Sequence, residues 1–259
     1  MVKAIFFDID GTLVSFKTHR VPGETMEALR ALKEKGIKIF IATGRSGILM
    51  KEVGTIDPDM FDGVITFNGQ YCRAGSKVVY SHPIPHGNVL AGIRFFDTCD
   101  IPCIFEGPDF VVINSHNEVA LRSAAMLDMR LPAPTDLHLI KDMENIQLIF
   151  FGDAQQEKAL LEVMPSCEST RWHPDFTDII PKGGGKHIGM QKMLAHFGIS
   201  REECMAFGDG ENDITMLQYA ATGIAMGNAS QAVKDISDYI TTGVDEGGIP
   251  AALRHFGLI

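Results

Sequence analysis

The chain has 259 residues, 45% apolar and 22% charged, the balance of an ordinary folded protein with ample core in one large domain or two smaller ones. No apolar run nears the roughly 20 residues that span a bilayer, and the short one in MVKAIFFDIDGT gives way at once to acids, so no signal peptide is expected. The formal net charge of −10 disfavours nonspecific binding to nucleic acid or an anionic membrane, while a small anionic substrate stays compatible because a metal and a few cations can dominate one pocket. The five cysteines, Cys72, Cys99, Cys103, Cys167 and Cys204, are scattered without CxxC spacing. They point to reduced thiols in a cytoplasmic protein rather than to a disulfide or zinc framework.

Val2 and Ala4 to Phe7 read as a strand buried on both faces, as in a parallel sheet. It ends in Asp8-Ile9-Asp10-Gly11-Thr12, which sets two carboxylates where open α/β sheets place their ligands. Gly11 permits a sharp turn. Carboxylates buried together there would repel each other and shift upward in pKa, a cost that a divalent cation removes. Pro22 to Lys35 reads as a helix with Met26, Leu29 and Leu32 on one stripe, stopped by Gly36. Ile37 to Ala42 is a second buried strand that runs into Thr43-Gly44-Arg45. A right-handed βαβ unit makes these strands parallel neighbours, with Thr43 at the same sheet edge as Asp8.

A helix over 46–53, a strand from Gly63 to Phe67 ending in Asn68-Gly69, and a hairpin over 70–80 turning at Gly75-Ser76 follow. From Pro83 the pattern changes. Helices are expected over 88–99, 118–126 and 155–164, and strands over 103–105, 110–113, 146–151, 169–172 and 177–180. This stretch carries no evident catalytic cluster and reads as an inserted α+β module. From Gly183 the first pattern resumes: three glycines and Lys186 open an amphipathic helix, a strand over 204–207 ends in GDGENDITML, and a strand over 222–226 precedes Gly227-Asn228. A helix over 230–236, a short strand over 238–240 and a helix near 249–256 close the chain.

The Asp8-Ile9-Asp10-Gly11-Thr12 stretch resembles the nucleophile motif of the haloacid dehalogenase superfamily, where the first aspartate attacks phosphorus and the second is the acid/base. Four loops converge on one sheet edge: Asp8/Asp10, Thr43/Gly44, Lys186 and Asp209/Asp213. Phosphoryl transfer requires such groups, because a phosphate dianion repels an anionic nucleophile unless a cation bridges them. Asp8 and Asp209 are the natural side-chain ligands for Mg2+, with the Asp10 carbonyl and water completing an oxygen shell. Thr43 offers a hydroxyl and Gly44 an unobstructed N–H. Lys186 at a helix start adds a point charge to the helix dipole. Asp10 would protonate the leaving oxygen and then deprotonate water, with an aspartyl-phosphate on Asp8 as intermediate.

Taken singly, Thr43-Gly44-Arg45 is more often a turn and Lys186 a solvated lysine. GDGEND is more specific: it lacks the third glycine of a dinucleotide fingerprint, and Ile214 stands where a calcium loop needs glycine. The lysine loop is no Walker motif, with Ile180 and His187 at positions that need Gly and Ser or Thr.

Over its whole length the chain resembles a Cof-type (subfamily IIB) haloacid dehalogenase phosphatase. The matching motifs are Asp8-Ile9-Asp10-Gly11-Thr12, Thr43-Gly44-Arg45, Lys186 and Gly208-Asp209-Gly210-Glu211-Asn212-Asp213, and Asn68-Gly69 fits a family habit. The resemblance implies a Rossmann-like three-layer α/β core with an inserted α+β cap, and Mg2+-dependent hydrolysis of small phosphorylated metabolites, often sugar phosphates or phosphorylated cofactors. It adds Ile9 and Asn212 to the phosphate-binding positions and places Asp213 behind the metal. The triple glycine and His187 around the lysine depart from the family pattern.

Thr43 lies 35 residues after Asp8, room for one helix and one strand, whereas Lys186 lies 143 residues after Thr43. The cap therefore belongs between these motifs, with 1–82 and 183–259 as core and 83–182 as insertion. Such a cap can close over a site and exclude water. Glu106, Trp172, His173 and Phe176 are its candidate substrate-reading residues, though each type is commoner as core or surface. His82 and His86 lack metal-ligand spacing. Competing readings are a hexose-phosphate mutase of the phosphomannomutase type and a phospho-accepting binding protein without turnover. Monomer and homodimer are both compatible.

Overall fold

The computed structural model describes residues 1–52, 56–127 and 129–259. The chain divides into two compact units, the second made of Arg45–Glu52 and His82–Gly184.

In chain order the elements of the first half are β1 (Ala4–Phe7), α1 (Gly23–Glu34), β2 (Lys38–Ala42), α2 (Gly47–Glu52), β3 (Gly63–Thr66), β4 (Tyr71–Ala74), β5 (Lys77–Ser81), α3 (His86–Phe96), β6 (Cys103–Gly107), β7 (Phe110–Ile113) and α4 (Glu118–Met126). They continue as β8 (Gln147–Phe150), α5 (Ala154–Val163), β9 (Cys167–His173), β10 (Phe176–Pro181), α6 (Lys186–Phe197), β11 (Cys204–Gly208), α7 (Ile214–Tyr219), β12 (Thr222–Ala225), α8 (Gln231–Asp235), β13 (Tyr239–Ile240) and α9 (Gly248–His255).

The first unit holds an eight-stranded sheet in the order β13-β12-β11-β1-β2-β3-β4-β5. Strands β13 to β3 are parallel, and β4 and β5 add an antiparallel edge. The all-apolar β1 is central because both its faces are covered: Ala4, Ile5, Phe6 and Phe7 are fully buried. Successive side chains alternate across the sheet, so Phe6 stacks on Phe40 at 4.6 Å while Phe7 stacks on Phe207 at 5.1 Å. The Phe6 face packs against Met190, Met193 and Leu194 of α6 and Met216 and Leu217 of α7. On α1 the buried stripe is Ala28, Leu29 and Leu32, and this helix contacts β2 and α9. Two helical layers thus sandwich a parallel sheet, as the α/β expectation required. Strand order proceeds outward from β1 through β2 and β3, then reverses to β11 on the other side of β1, which makes the end of β1 the switch point where such sheets bind ligands.

The second unit is an antiparallel sheet in the order β7-β6-β8-β10-β9. One face carries Phe105, Leu148 and Phe150 against Val89, Ile93 and Phe96 of α3 and Leu160 of α5. The other carries Ile104, Ile149 and Phe176 against Ala120 and Ala124 of α4 and Leu49 of α2. The α2 segment, which sequence spacing groups with residues 1–82, therefore shares the hydrophobic cluster of the second unit. Its expected last residue, Val53, lies outside the described residues.

Most expected elements lie within a residue or two of their expected bounds. α3 begins at His86 rather than Asn88 and stops at Phe96 rather than at Cys99, where the Thr98 hydroxyl donates to the Phe95 carbonyl at 2.8 Å and turns the chain. α7 has no counterpart in the sequence reading. No described helix is long and apolar enough to cross a membrane.

Candidate active site

Everything in the site grows from the end of β1. Asp8 still pairs as a strand residue, its N–H donating to the Phe207 carbonyl of β11 at 3.1 Å. The chain then folds back on itself, with the Val14 N–H on the Ile9 carbonyl at 2.7 Å and the Gly11 N–H on the Val14 carbonyl at 2.8 Å. Gly11 has φ +85, and a Cβ there would strike the Asp209 carboxylate, so glycine lets the two acidic loops approach. Thr43 follows β2, beside β1, and is itself buried. Its N–H donates to the Ile65 carbonyl at 2.9 Å and its carbonyl accepts from the Asn68 N–H at 3.0 Å. Gly44 follows directly, and the Asn212 amide donates to Asn68 Oδ1 at 3.1 Å. Lys186 is the first residue of α6, behind Gly185.

At the centre the fully buried Lys186 ammonium donates to Asp8 Oδ1 at 2.6 Å and to Asp213 Oδ1 at 2.5 Å. Asp213 Oδ2 accepts the Asp209 and Gly210 N–H groups, each at 3.0 Å, so both Asp213 oxygens face donors and fix the turn that carries Asp209. The Thr12 hydroxyl donates to Asp209 Oδ1 at 2.9 Å and the Asn228 amide to Asp209 Oδ2 at 3.1 Å. Carboxylate oxygens of Asp8, Asp209 and Asp213 lie within 4.8 Å of one another.

Charge here is out of balance. Burial is the main cause that pushes the Asp8 carboxyl well above its usual range; Asp213, Asp209 and Asp10 add like-charge repulsion, and Lys186 opposes them. Asp209 is pushed up to about 7, first by burial and then by Asp213, against the Thr12 hydrogen bond and Lys186. Burial by itself would depress the Lys186 ammonium, but the Asp213 and Asp8 carboxylates outweigh it and hold it above its ordinary value. Asp10 lies close enough to act on both Asp8 and Asp209. An all-oxygen donor set carrying surplus negative charge fits a hard divalent cation of the Mg2+ class.

The sequence of the chain matches the haloacid dehalogenase-like hydrolases over residues 5–253. The chain belongs to that family. It is 34% identical over 259 residues to YkrA of Bacillus subtilis, a protein named for an inferred phosphatase activity, covering 99% of this chain and 98% of the relative. It is 27% identical over 263 residues to the 5-amino-6-(5-phospho-D-ribitylamino)uracil phosphatase YcsE of Bacillus subtilis, covering 99% and 96%. Among solved structures, the subclass IIB sugar phosphatase BT4131 superposes with a TM-score of 0.90 at 43% identity, over 100% of both chains. This haloacid dehalogenase-like hydrolase is a phosphatase.

Within this hydrolase, Asp8, Asp10, Lys186, Asp209 and Asp213 meet in one cluster. Thr43 and Gly44 follow the neighbouring strand β2, and Asn212 donates to Asn68. Two contacts escaped sequence reasoning: Thr12 and Asn228 as partners of Asp209. Thr12 lies inside the first motif with no role of its own, and Gly227-Asn228 carries no signal beyond its place after a strand.

In the second unit, Glu106 and Phe176 are interior residues. His173 is partly exposed and stacks on Phe176 at 4.9 Å. The Trp172 side chain lies outside the described residues. His86 faces Asp142 at 3.4 Å, and neither it nor His82 belongs to a group of potential metal ligands among the described residues.

Proposed function

We propose that this phosphatase hydrolyses small phosphorylated metabolites, sugar phosphates or phosphorylated cofactors, with Mg2+ and through an aspartyl-phosphate on Asp8. The observation that carries the reading is the buried Asp8 carboxylate held by Lys186 at 2.6 Å, with a second carboxylate, Asp10, two residues further on. The names of two similar proteins, a sugar phosphatase and a 5-amino-6-(5-phospho-D-ribitylamino)uracil phosphatase, support this substrate class.

Asp8, Asp209 and the Asp10 carbonyl would hold Mg2+, with Asp213 behind them. When bound, Mg2+ supplies charge that offsets the repulsion between carboxylate and phosphate. The Thr43 hydroxyl, the N–H groups of Ile9 and Gly44, Lys186 and Asn212 hold the phosphate oxygens. An Asp8 oxygen forms a bond to phosphorus as the bond to the ester oxygen breaks, and the Asp10 carboxylic acid gives that oxygen its proton. Asp10, now a carboxylate, takes a proton from water as the water oxygen bonds to phosphorus. The Asp8–phosphorus bond breaks, inorganic phosphate leaves, and both aspartates return to their starting states. Substrate choice is assigned to residues 83–182 and chemistry to 1–82 with 183–259. The protein would act in the cytoplasm, as a monomer or homodimer.

Asp8→Asn tests the reading. Release of phosphate from a panel of phosphorylated sugars, alditols and cofactors should fall to background, with the circular dichroism spectrum of the parent retained. Turnover persisting in this variant would end the proposal, and phosphate migrating between hydroxyls rather than appearing free would favour a mutase.

A further inference from the structure

Asn228 follows β12 and reaches three separate segments of the first unit. Its Nδ2 donates to the Gly11 carbonyl at 2.8 Å and to Asp209 Oδ2 at 3.1 Å, and its Oδ1 accepts the Val244 N–H at 2.9 Å. Chemistry fixes the amide orientation: Val244 N–H can only donate and the Gly11 carbonyl can only accept. Both N–H groups and the carbonyl are therefore committed. Aspartate at this position would lack the donors, and alanine would lack all three bonds.

The consequence falls on Asp209. Thr12 directs one of its oxygens and Asn228 the other. Carboxylate oxygens have lone pairs beyond those that accept these bonds, so an oriented Asp209 retains donor capacity for a cation. Without Asn228, one oxygen loses its donor and the carboxylate still faces the like charges of Asp213 and Asp10. The bond to Gly11 also couples the loop after β1 to the loop after β12, on either side of Asp209. We propose that Asn228 is a positioning residue that orients Asp209 toward the metal, so that Mg2+ affinity depends on it. This rests on the reading of Asp209 as a Mg2+ ligand.

The test uses the full chain stripped with EDTA and titrated with Mg2+ by isothermal calorimetry, for the parent, Asn228→Ala and Asn228→Ser. Partners that orient metal ligands typically control affinity by roughly 10- to 100-fold, and a loss of that size in Kd is expected for both variants. Excess Mg2+ should restore kcat, and KM for a phosphorylated substrate at saturating Mg2+ should stay at the parent value. A merely structural role would lower the melting midpoint of the metal-free variant and leave Kd unmoved, and that result overturns the proposal. Should Asn228→Ala not fold, Asn228→Ser decides the matter on the same readout. A parent that binds Mg2+ alongside variants that bind it equally well removes Asn228 alone; a parent that binds no Mg2+ removes the metal reading and this proposal with it.

Discussion

Glu106 shows how far a side chain's role depends on where its strand lies. It is fully buried on β6, where Gln147 Nε2 donates to Oε2 at 3.1 Å. Burial is the main cause that pushes its carboxyl up to about 8; Asp178 adds to this, while Ser46, Gln147 and Arg45 oppose it. In the unfolded chain the same group titrates near its ordinary value of 4.5. The folded protein therefore keeps the proton after the unfolded chain has lost it. Stability from this group is full below the unfolded value and is lost as pH rises through the folded one. The slope is on the order of 1.4 kcal/mol per pH unit between them. Glu106→Gln keeps the shape and removes the proton equilibrium. Thermal melts across that window should flatten relative to the parent, and parallel curves would refute the assignment. The acids of Asp8-Ile9-Asp10 and GDGEND were readable because dense charge at a strand end has few structural explanations. Glu106 is a candidate only by its place in the expected cap, and no sequence pattern reveals that a glutamate in a five-residue strand faces inward. Asn228 escaped because the three groups it joins lie far apart in the chain.

The helix that presents Lys186 depends on a loop distant in sequence. Gly69, just after β3, has φ +97, and a Cβ there would press into the Gly185 carbonyl immediately before α6. Gly69→Ala thus meets both a left-handed backbone, which costs a non-glycine residue roughly 1–2 kcal/mol, and a clash with rigid main chain. The expected result is a melting midpoint lower by several degrees with reduced kcat, since Lys186 moves with the start of its helix. Parent-like melting and kinetics would show that the loop adapts. Buried strands such as β1 and β2 were legible as continuous apolar runs, and α1 as a stripe. α7 was hidden because its Ile214-Thr215-Met216-Leu217 run continues the acidic motif directly before it, with no break to mark a helix start. α2 was legible as a helix but not by its company, since Leu49 is apolar and would suit either unit.

Binding of Mg2+ should be visible in the stability of the protein as a whole. A ligand present at a hundred times its Kd stabilises a fold by about 2.7 kcal/mol, which for a chain of this size raises the melting midpoint by roughly 5–10 °C. Adding Mg2+ should produce that rise and EDTA should reverse it; a midpoint indifferent to both would remove the cation from the account. The 143-residue separation of Thr43 and Lys186 exceeds any single crossover, so spacing alone leads one to expect a long insertion between these motifs. The strand order was legible only in part: parallel β1 and β2 follow from their connection, while β11 as the other neighbour of β1 rests on pairing across some two hundred residues. That order bears on biosynthesis. As the polypeptide leaves the ribosome, β1 emerges before the strands it pairs with, and its second edge stays bare until Cys204–Gly208 has been translated. Throughout that interval a wholly apolar strand lacks its native neighbour, a state prone to sticking to other chains. Asp8 is translated well before Lys186 and Asp209, so the buried cluster these residues share can assemble only after both later segments have been made.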